Sequence, residues 1–207
     1  MASKAMTHLA TVMYPTIKRI ADISLALILL AISAPIFLLI ILLIFLESGR
    51  PVFFRQTRVG LGGKLFQIYK FRTLYQGAHE VTNPQAMITP IGGFLRRWGL
   101  DELPQLINVL KKDMSLVGPR PTIPEQVARY NEFEKQRLQM RPGITGWAQI
   151  HGRNAIDWPA RIELDIEYIN SANFSLDTQI LLRTPMTLIE GKDNTYGPTG
   201  ENVDFVG

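Results

Sequence analysis

The longest hydrophobic stretch of the chain runs without a charge from Ile23 to Leu46, between Asp22 and Glu47. It is apolar on every face of a helix, which soluble core helices rarely are over such a length. A straight helix through it would extend roughly 36 Å at about 1.5 Å per residue, enough to cross the hydrocarbon core of a bilayer. The run also exceeds the span of about 7–15 residues typical of a cleavable signal peptide. The pattern therefore predicts a membrane helix.

Pro35 lies near the centre of this apolar run. Its ring removes one backbone donor and clashes with the carbonyl of Ala31, so we expect a kink, and Ser33 is placed to satisfy the freed backbone groups. Each half of the helix would then extend roughly 17 Å, about half a bilayer. Two such halves at a sharp angle would form a re-entrant hairpin that enters and leaves the membrane by one face.

Basic side chains flank the apolar run on both sides, at Lys18, Arg19, Arg50, Arg55 and Arg58. The positive-inside rule places such flanks on the cytoplasmic side of the membrane. A re-entrant hairpin satisfies this rule at both ends, whereas a simple span satisfies it at one. A kinked spanning helix remains the alternative, because proline is common in helices that cross membranes.

The rest of the pattern predicts a mainly helical α/β domain with one small β-hairpin. Alternating apolar and polar positions predict the hairpin across Pro51–Thr73, with glycines at its turn. Lys70 and Arg72 would share one face of its second strand. Apolar residues at helical spacing predict helices at Asp101–Lys112 and Arg161–Asn170. We also expect helices at Pro90–Trp98 and from Pro124 to about Met140, the latter ended by Pro142 and Gly143.

The C-terminal segment Phe174–Lys192 is amphipathic and contains Pro185. Such a segment suits the membrane interface, although without a membrane helix an ordinary helix packed on the core would be the simpler interpretation. We expect a loop with a short helix over Leu74–Thr89. The chain then divides into an N-terminal segment with the re-entrant membrane helix (1–48), a domain on the cytosolic face with interfacial amphipathic helices (49–191) and an irregular tail (192–207).

The composition narrows the choice of partners. The chain has 207 residues, no cysteine and a formal charge of +4. Without cysteine there is no disulfide framework. A mildly basic balance suits anionic lipid headgroups or nucleotides. The basic residues are dispersed and do not alternate with aromatic ones, so we expect no nucleic-acid partner.

Two adjacent carboxylates, Asp101 and Glu102, stand at a predicted helix start. In a structural interpretation, Asp101 is the N-cap and Glu102 favours the positive end of the helix. In a functional interpretation, the angle of about 100° between adjacent helical residues lets both carboxylates approach one ligand from two directions. A hard cation such as Mg²⁺ prefers one or two carboxylates together with phosphate oxygens and water.

Arginines accompany the acidic pair: Arg96 and Arg97 precede it, and Arg120 follows between Pro119 and Pro121. Proline fixes its own torsion and restricts its predecessor, so the backbone at Arg120 is stiff. Arginine also forms bidentate pairs with phosphate. Carboxylates, a metal and basic clamps together indicate phosphoryl transfer, in which catalysis depends on positioning and charge neutralisation.

From about Thr16 to Ile189, the chain resembles the small monotopic polyprenyl-phosphate phosphoglycosyl transferases, also called bacterial sugar transferases. The resemblance rests on a lysine–arginine pair before a proline-broken apolar segment and on the ordered motifs YKFRT, LDELPQLINVLKKDMSLVGPRP, RPGITGWAQIHGRN and ELDIEYI. It implies transfer of a sugar 1-phosphate from a UDP-sugar to undecaprenyl phosphate, with release of UMP and a requirement for Mg²⁺. It also implies a place at the cytoplasmic face of the bacterial inner membrane, among membrane lipids and downstream glycosyltransferases.

The same resemblance implies roles for individual residues. Asp101 would be the nucleophile that forms a covalent phosphosugar-aspartyl intermediate, and Glu102 would assist the acceptor or help arrange the metal. Asp165 would join Asp101 and Glu102 at the metal or support the region of Arg120. The remaining implied residues are Lys70, Arg96 and Arg120 for substrate phosphates, Gly143, Gly146 and Arg153 for the sugar-nucleotide loop, and Ser33 and Pro35 for the membrane break.

Two other functions stay open at this point. A membrane-anchored scaffold that recruits glycosyltransferases would explain the apolar anchor, but it would not explain an acidic pair with positioned arginines. A hydrolase would use the same residues and pass the aspartyl intermediate to water.

Overall fold

Helix α1 (Ala2–Ser48) is the longest element of the computed structural model, which describes residues 2–77, 87–152 and 156–189, with side chains from Met13 onward. From Met13 to Ser48 it is long and apolar enough to cross a membrane, and 11% of its most apolar window is buried within the protein. The core helix of a soluble protein would be mostly buried. The exposed apolar surface of α1 therefore indicates association with a membrane.

The helix continues through Pro35 as one element. Ser33 Oγ donates to the carbonyl of Leu30 at 3.4 Å, and not to the carbonyl of Ala31, from which Pro35 removes the helical donor. The expected break therefore does not separate α1 into two helices. The re-entrant path through the membrane stays a prediction.

Both halves of α1 pack on the domain that follows. In the first half, Ala26 is fully buried in the main hydrophobic core. In the second half, Ile40 and Ile44 belong to a second cluster with Phe71 and Leu95. The main core contains Phe66, Ile68, Leu106, Val109, Met114, Leu116, Val117, Tyr168 and Ile180.

The predicted hairpin is confirmed. Strands β1 (Phe53–Val59) and β2 (Leu65–Phe71) pair antiparallel, with Phe53 opposite Phe71 and Val59 opposite Leu65. A single 3₁₀ turn joins them, and its Gly62 has a φ of 64°, which favours glycine. The second sheet is a short parallel pair, β3 (Ser115–Val117) and β4 (Gly143–Thr145), which brings two distant loops together.

Several helix predictions are confirmed: α2 spans Pro90–Trp98, α6 spans Trp158–Ser171 and α7 spans Phe174–Ile189. The helix predicted from position 101 starts later, as α3 (Gln105–Leu110). Short helices α4 (Pro124–Val127) and α5 (Trp147–Ile150) complete the set in the described ranges.

The single helix predicted over Pro124–Met140 is wrong. Helix α4 ends at Val127, and a separate 3₁₀ turn occupies Glu134–Gln139. The cause is local, because Asn131 and Glu134 exchange hydrogen bonds between side chain and backbone at 2.8 and 2.9 Å. This reciprocal capping starts a new turn.

The predicted loop over 74–89 lies partly outside the described residues, although Leu74 and Ile88 form a bridge at its base. The predicted irregular tail, 192–207, lies wholly outside them.

Candidate active site

The acidic pair lies in a 3₁₀ turn, Leu100–Glu102, between α2 and α3. Gly99 ends α2 with a φ of 65°, and neither the turn nor α3 is capped by a side chain. The helix α3 begins after Pro104, so Asp101 is not its N-cap. The structural interpretation of Asp101 is therefore wrong, and helix capping does not explain either acid.

Glu102 is held by two cations on one oxygen. Lys70 Nζ and Arg120 Nη2 each lie 3.0 Å from Glu102 Oε1, and the Glu102 side chain is 16% exposed. Burial by itself would raise the pKa of Glu102, but Arg120 and Lys70 outweigh it and lower the pKa to about 2. Glu102 is thus ionised at neutral pH and keeps both cations in place.

Asp101 has the opposite electrostatic balance. Burial raises its pKa, and the negative charge of Glu102 raises it further, against the lowering effect of Lys70, Arg96 and Arg120. Because Asp101 lies in a 3₁₀ turn before α3, these cations, and not a helix N-terminus, are the groups that favour its ionised form. Two adjacent carboxyl groups with pKa values shifted apart are suited to different chemical tasks.

Lys70 and Arg96 are each positioned by the strand or helix to which they belong. Lys70 lies on β2 opposite Phe54, and β2 is fastened to α3 because Asn108 accepts from the amide of Tyr69 at 3.0 Å. Arg96 is in the last turn of α2, where its Nε donates to Thr73 Oγ1 at 2.7 Å.

Arg120 depends on the close contact of two loops. A Cβ added to Gly143 would lie 2.1 Å from the amide nitrogen of Gly118, and one added to Gly146 would lie 2.3 Å from the Gly118 carbonyl oxygen. Glycine is therefore required at both positions for the backbones to meet, two residues before Arg120. The predicted role of Gly143 and Gly146 in a sugar-nucleotide loop stays a prediction, and Arg153 lies outside the described residues.

Asp165 pairs with Arg137 and not with the cations that contact Glu102. Its buried carboxylate lies 2.7 Å from Arg137 Nη2, and Arg137 also donates to the backbone oxygen of Arg120 at 3.0 Å. In the described part of the chain no three metal-ligating side chains come together, so Asp165 does not complete a ligand set with Asp101 and Glu102. We assign Asp165 to the support of the Arg120 loop instead of the metal.

Comparison with known proteins matches residues 13–191 to the family described as bacterial sugar transferase. The chain belongs to the bacterial sugar transferase family. This membership confirms the family that the ordered motifs indicated.

Three relatives illustrate the range of this family. The transferase is 43% identical over 190 residues to an uncharacterized sugar transferase, EpsL, of Bacillus subtilis, covering 89% of this chain and 94% of EpsL. It is 43% identical to a UDP-glucose:undecaprenyl-phosphate glucose-1-phosphate transferase of Caulobacter vibrioides, over 86% of this chain and 72% of the relative. It is 42% identical to a UDP-N-acetylgalactosamine-undecaprenyl-phosphate N-acetylgalactosaminephosphotransferase of Aeromonas hydrophila. That match covers 86% of this chain and 45% of the longer relative.

The transferase also contains two buried ion pairs that sequence reasoning missed. Arg137 and Asp165 are 28 positions apart, and Lys18 lies 2.6 Å from Asp177 although 159 positions separate them. No local pattern signals such pairs. A partial signal for Arg137 existed, because the Asn131–Glu134 capping box marks the start of its turn.

Proposed function

We propose that this transferase moves a sugar 1-phosphate from a UDP-sugar to undecaprenyl phosphate, with release of UMP, in glycoconjugate synthesis. The names of its relatives in Caulobacter vibrioides and Aeromonas hydrophila support the acceptor and the type of donor. The observation that carries the proposal is the acidic pair, in which Glu102 lies 3.0 Å from both Lys70 and Arg120 and the adjacent Asp101 lies in the field of the same cations. A scaffold without chemistry has no need of such an arrangement.

Asp101 is the nucleophile of this mechanism. One oxygen of its carboxylate bonds to the sugar-bearing phosphorus, and the bond from that phosphorus to the bridging oxygen breaks, so that UMP leaves with the oxygen. An oxygen of undecaprenyl phosphate then bonds to the same phosphorus, the aspartyl–phosphorus bond breaks, and the carboxylate is restored. The covalent step lets two bulky anionic substrates use one site in turn.

The cations neutralise charge while Glu102 keeps them in position. Glu102 contacts Lys70 and Arg120 at 3.0 Å, so these side chains are oriented before substrate arrives. Substrate phosphate oxygens would then share the cations with Glu102. Positioned arginines in phosphoryl transfer are worth on the order of 10³–10⁵ in rate.

The acidic pair also fits a Mg²⁺ ion. Mg²⁺ prefers one or two protein carboxylates together with phosphate oxygens and water, and Asp101 and Glu102 would supply the carboxylates. When bound, the ion would neutralise charge on the transferred phosphate. Chelation by EDTA should therefore stop UMP release, and added Mg²⁺ should restore it; activity unchanged by chelation would contradict this assignment.

We further propose that α1 enters and leaves the membrane at the cytoplasmic face. Before Pro35, Asp22 accepts from Ser115 Oγ at 2.6 Å. After Pro35, Arg72 donates to the carbonyl of Ser48 at 2.8 Å. Contacts of one domain with both ends of the apolar run support a re-entrant helix, because a spanning helix separates its ends by about 30 Å of hydrocarbon.

The topology can be tested with a single cysteine, since the chain has none. An Ala2→Cys variant should react with a membrane-impermeant maleimide in inverted vesicles and stay unlabelled in intact spheroplasts. Labelling in intact spheroplasts would overturn the re-entrant proposal.

A direct test of the function measures UMP release by the purified protein in nanodiscs across a set of UDP-sugars, with and without undecaprenyl phosphate. We expect a lipid-linked diphosphate sugar to form together with UMP. The Asp101→Asn variant should be inactive, whereas the exposed-site control Glu132→Gln should match the wild type. Release of sugar phosphate into water, with no lipid product, would identify a hydrolase and contradict transfer.

A further inference from the structure

Arg137 has a degree of burial and bonding that is unusual for an arginine. It lies in the 3₁₀ turn Glu134–Gln139, and its side chain is 4% exposed. The ring of Trp158 covers the guanidinium carbon at 5.0 Å. A buried charge of this kind is costly unless it is paired and its donors are satisfied.

Four hydrogen bonds and one ion pair hold the guanidinium of Arg137. Nε and Nη2 contact Asp165 Oδ2 at 2.9 and 2.7 Å. Nη1 donates to Thr122 Oγ1 at 3.0 Å and to the hydroxyl of Tyr130. Nη2 also donates to the backbone oxygen of Arg120 at 3.0 Å.

Two of these acceptors, on Arg120 and Thr122, lie on either side of Pro121. They belong to the loop whose Arg120 side chain is proposed to bind phosphate. Arg137 thereby holds the Arg120 carbonyl and the Thr122 hydroxyl at once. The Arg120 side chain extends from this loop to Glu102 at 3.0 Å. The fixed fork of Arg137 thus determines where the backbone of Arg120 stands relative to the acidic pair.

We propose that Arg137 is a positioning residue that sets Arg120 for phosphate transfer, with Asp165 as the counter-ion that makes its burial possible. The inference rests on the proposed transferase function, and it assigns Arg137 no contact with substrate. Lysine cannot replace it, because an ammonium has three donors and lacks the planar fork. A displacement of about 1 Å at a catalytic group can cost on the order of 10²-fold in rate.

The test is a double-mutant cycle on UMP release by the full-length protein in nanodiscs. Arg137→Lys should lower kcat by roughly 10- to 100-fold while the KM for the UDP-sugar changes by less than about threefold. In an Arg120→Ala background, the same substitution should change kcat by less than about twofold, because the group that Arg137 positions is already gone. An exposed-site control, Arg129→Lys, should leave both parameters unchanged.

The opposite pattern would overturn the inference. If Arg137→Lys lowers kcat by the same factor with and without Arg120, Arg137 acts on the protein generally and does not act through Arg120. If Arg137→Lys cannot be purified folded, Tyr130→Phe provides the milder test, since it removes one acceptor of the guanidinium. Its loss of activity should again vanish in the Arg120→Ala background, and an equal loss in both backgrounds would refute positioning. Failure of the proposed function is distinguishable, because the wild type would then release no UMP.

Discussion

The buried carboxylate of Asp177 tests how α1 is attached to the domain that follows it. Asp177 Oδ2 accepts from Lys18 Nζ at 2.6 Å and from the hydroxyl of Tyr14 at 2.9 Å, both in α1. Its Oδ1 accepts from the hydroxyl of Tyr168 in α6 at 2.6 Å. The Lys18 and Asp177 side chains are each 10% exposed. An Asp177→Asn substitution would leave the Lys18 charge buried without a counter-charge.

The expected magnitude follows from this burial. Removing one partner of a buried ion pair costs about 3–5 kcal/mol of unfolding free energy. In a protein of roughly 150–250 residues, each kcal/mol lowers Tm by about 2–4 °C. We therefore expect Asp177→Asn to lower Tm by roughly 6–20 °C, measured by thermal unfolding of wild type and variant in the same detergent.

A matched acid-to-amide substitution provides the control. Glu132 also lies 2.6 Å from a lysine, Lys135, but its side chain is 91% exposed. Because exposed pairs contribute about 0.2–1 kcal/mol, Glu132→Gln should leave Tm nearly unchanged. Adding Lys18→Met to Asp177→Asn should recover part of the loss, since it removes the uncompensated charge. A Tm for Asp177→Asn equal to that of Glu132→Gln would refute this account of the attachment.

Two further predictions concern the loop contact and the acidic pair. Gly143→Ala should lower the free energy of unfolding by about 1–3 kcal/mol, because its Cβ would overlap the backbone of Gly118. Gly93→Ala is the control, since its Cβ would lie 3.8 Å from the nearest atom and should cost nothing. Equal Tm values for the two variants would contradict the close contact of the backbones. Folding lowers the pKa of Glu102 from 4.5 to about 2, so its ionised side chain stabilises the folded protein. This stabilisation is complete above pH 4.5 and is lost as the pH falls to about 2. Unfolding in denaturant from pH 5 to 2 should thus depend less on pH for Glu102→Gln than for wild type, and parallel curves would count against the ionised Glu102.

The elements that sequence reasoning predicted well carry their own local signals. Thr89 caps α2 by accepting from the Gly92 amide, Pro90 opens the helix, and Gly99 ends it in a left-handed conformation. All of these signals can be read from neighbouring residues. The hairpin is similar, because glycines mark its turn and its strands alternate.

The errors arose where a local pattern had two interpretations. Asp101 resembled an N-cap, but the acids lie in a 3₁₀ turn and the helix begins only after Pro104. The capping box of Asn131 and Glu134 was present in the sequence, but the stop signal of Pro142 and Gly143 favoured one long helix ending near Met140.

The ion pairs of the site could not be predicted from the sequence, because they depend on tertiary contacts. Glu102 meets Lys70 and Arg120 only because the hairpin, the acidic turn and the proline-flanked loop converge in the fold. The same holds for Arg137, whose partner Asp165 comes from another element. A sequence gives residue types for such a site, but their pairing is decided by packing.

The covalent role of Asp101 is the central claim, and mass spectrometry of the intact protein and of its peptides tests it most directly. Wild type incubated with its UDP-sugar and Mg²⁺, without acceptor, should gain the mass of one sugar phosphate on the peptide that contains Asp101. Undecaprenyl phosphate should then remove the adduct, and Asp101→Asn should never form it. An adduct on another residue, or UMP release at full rate by Asp101→Asn, would contradict the account.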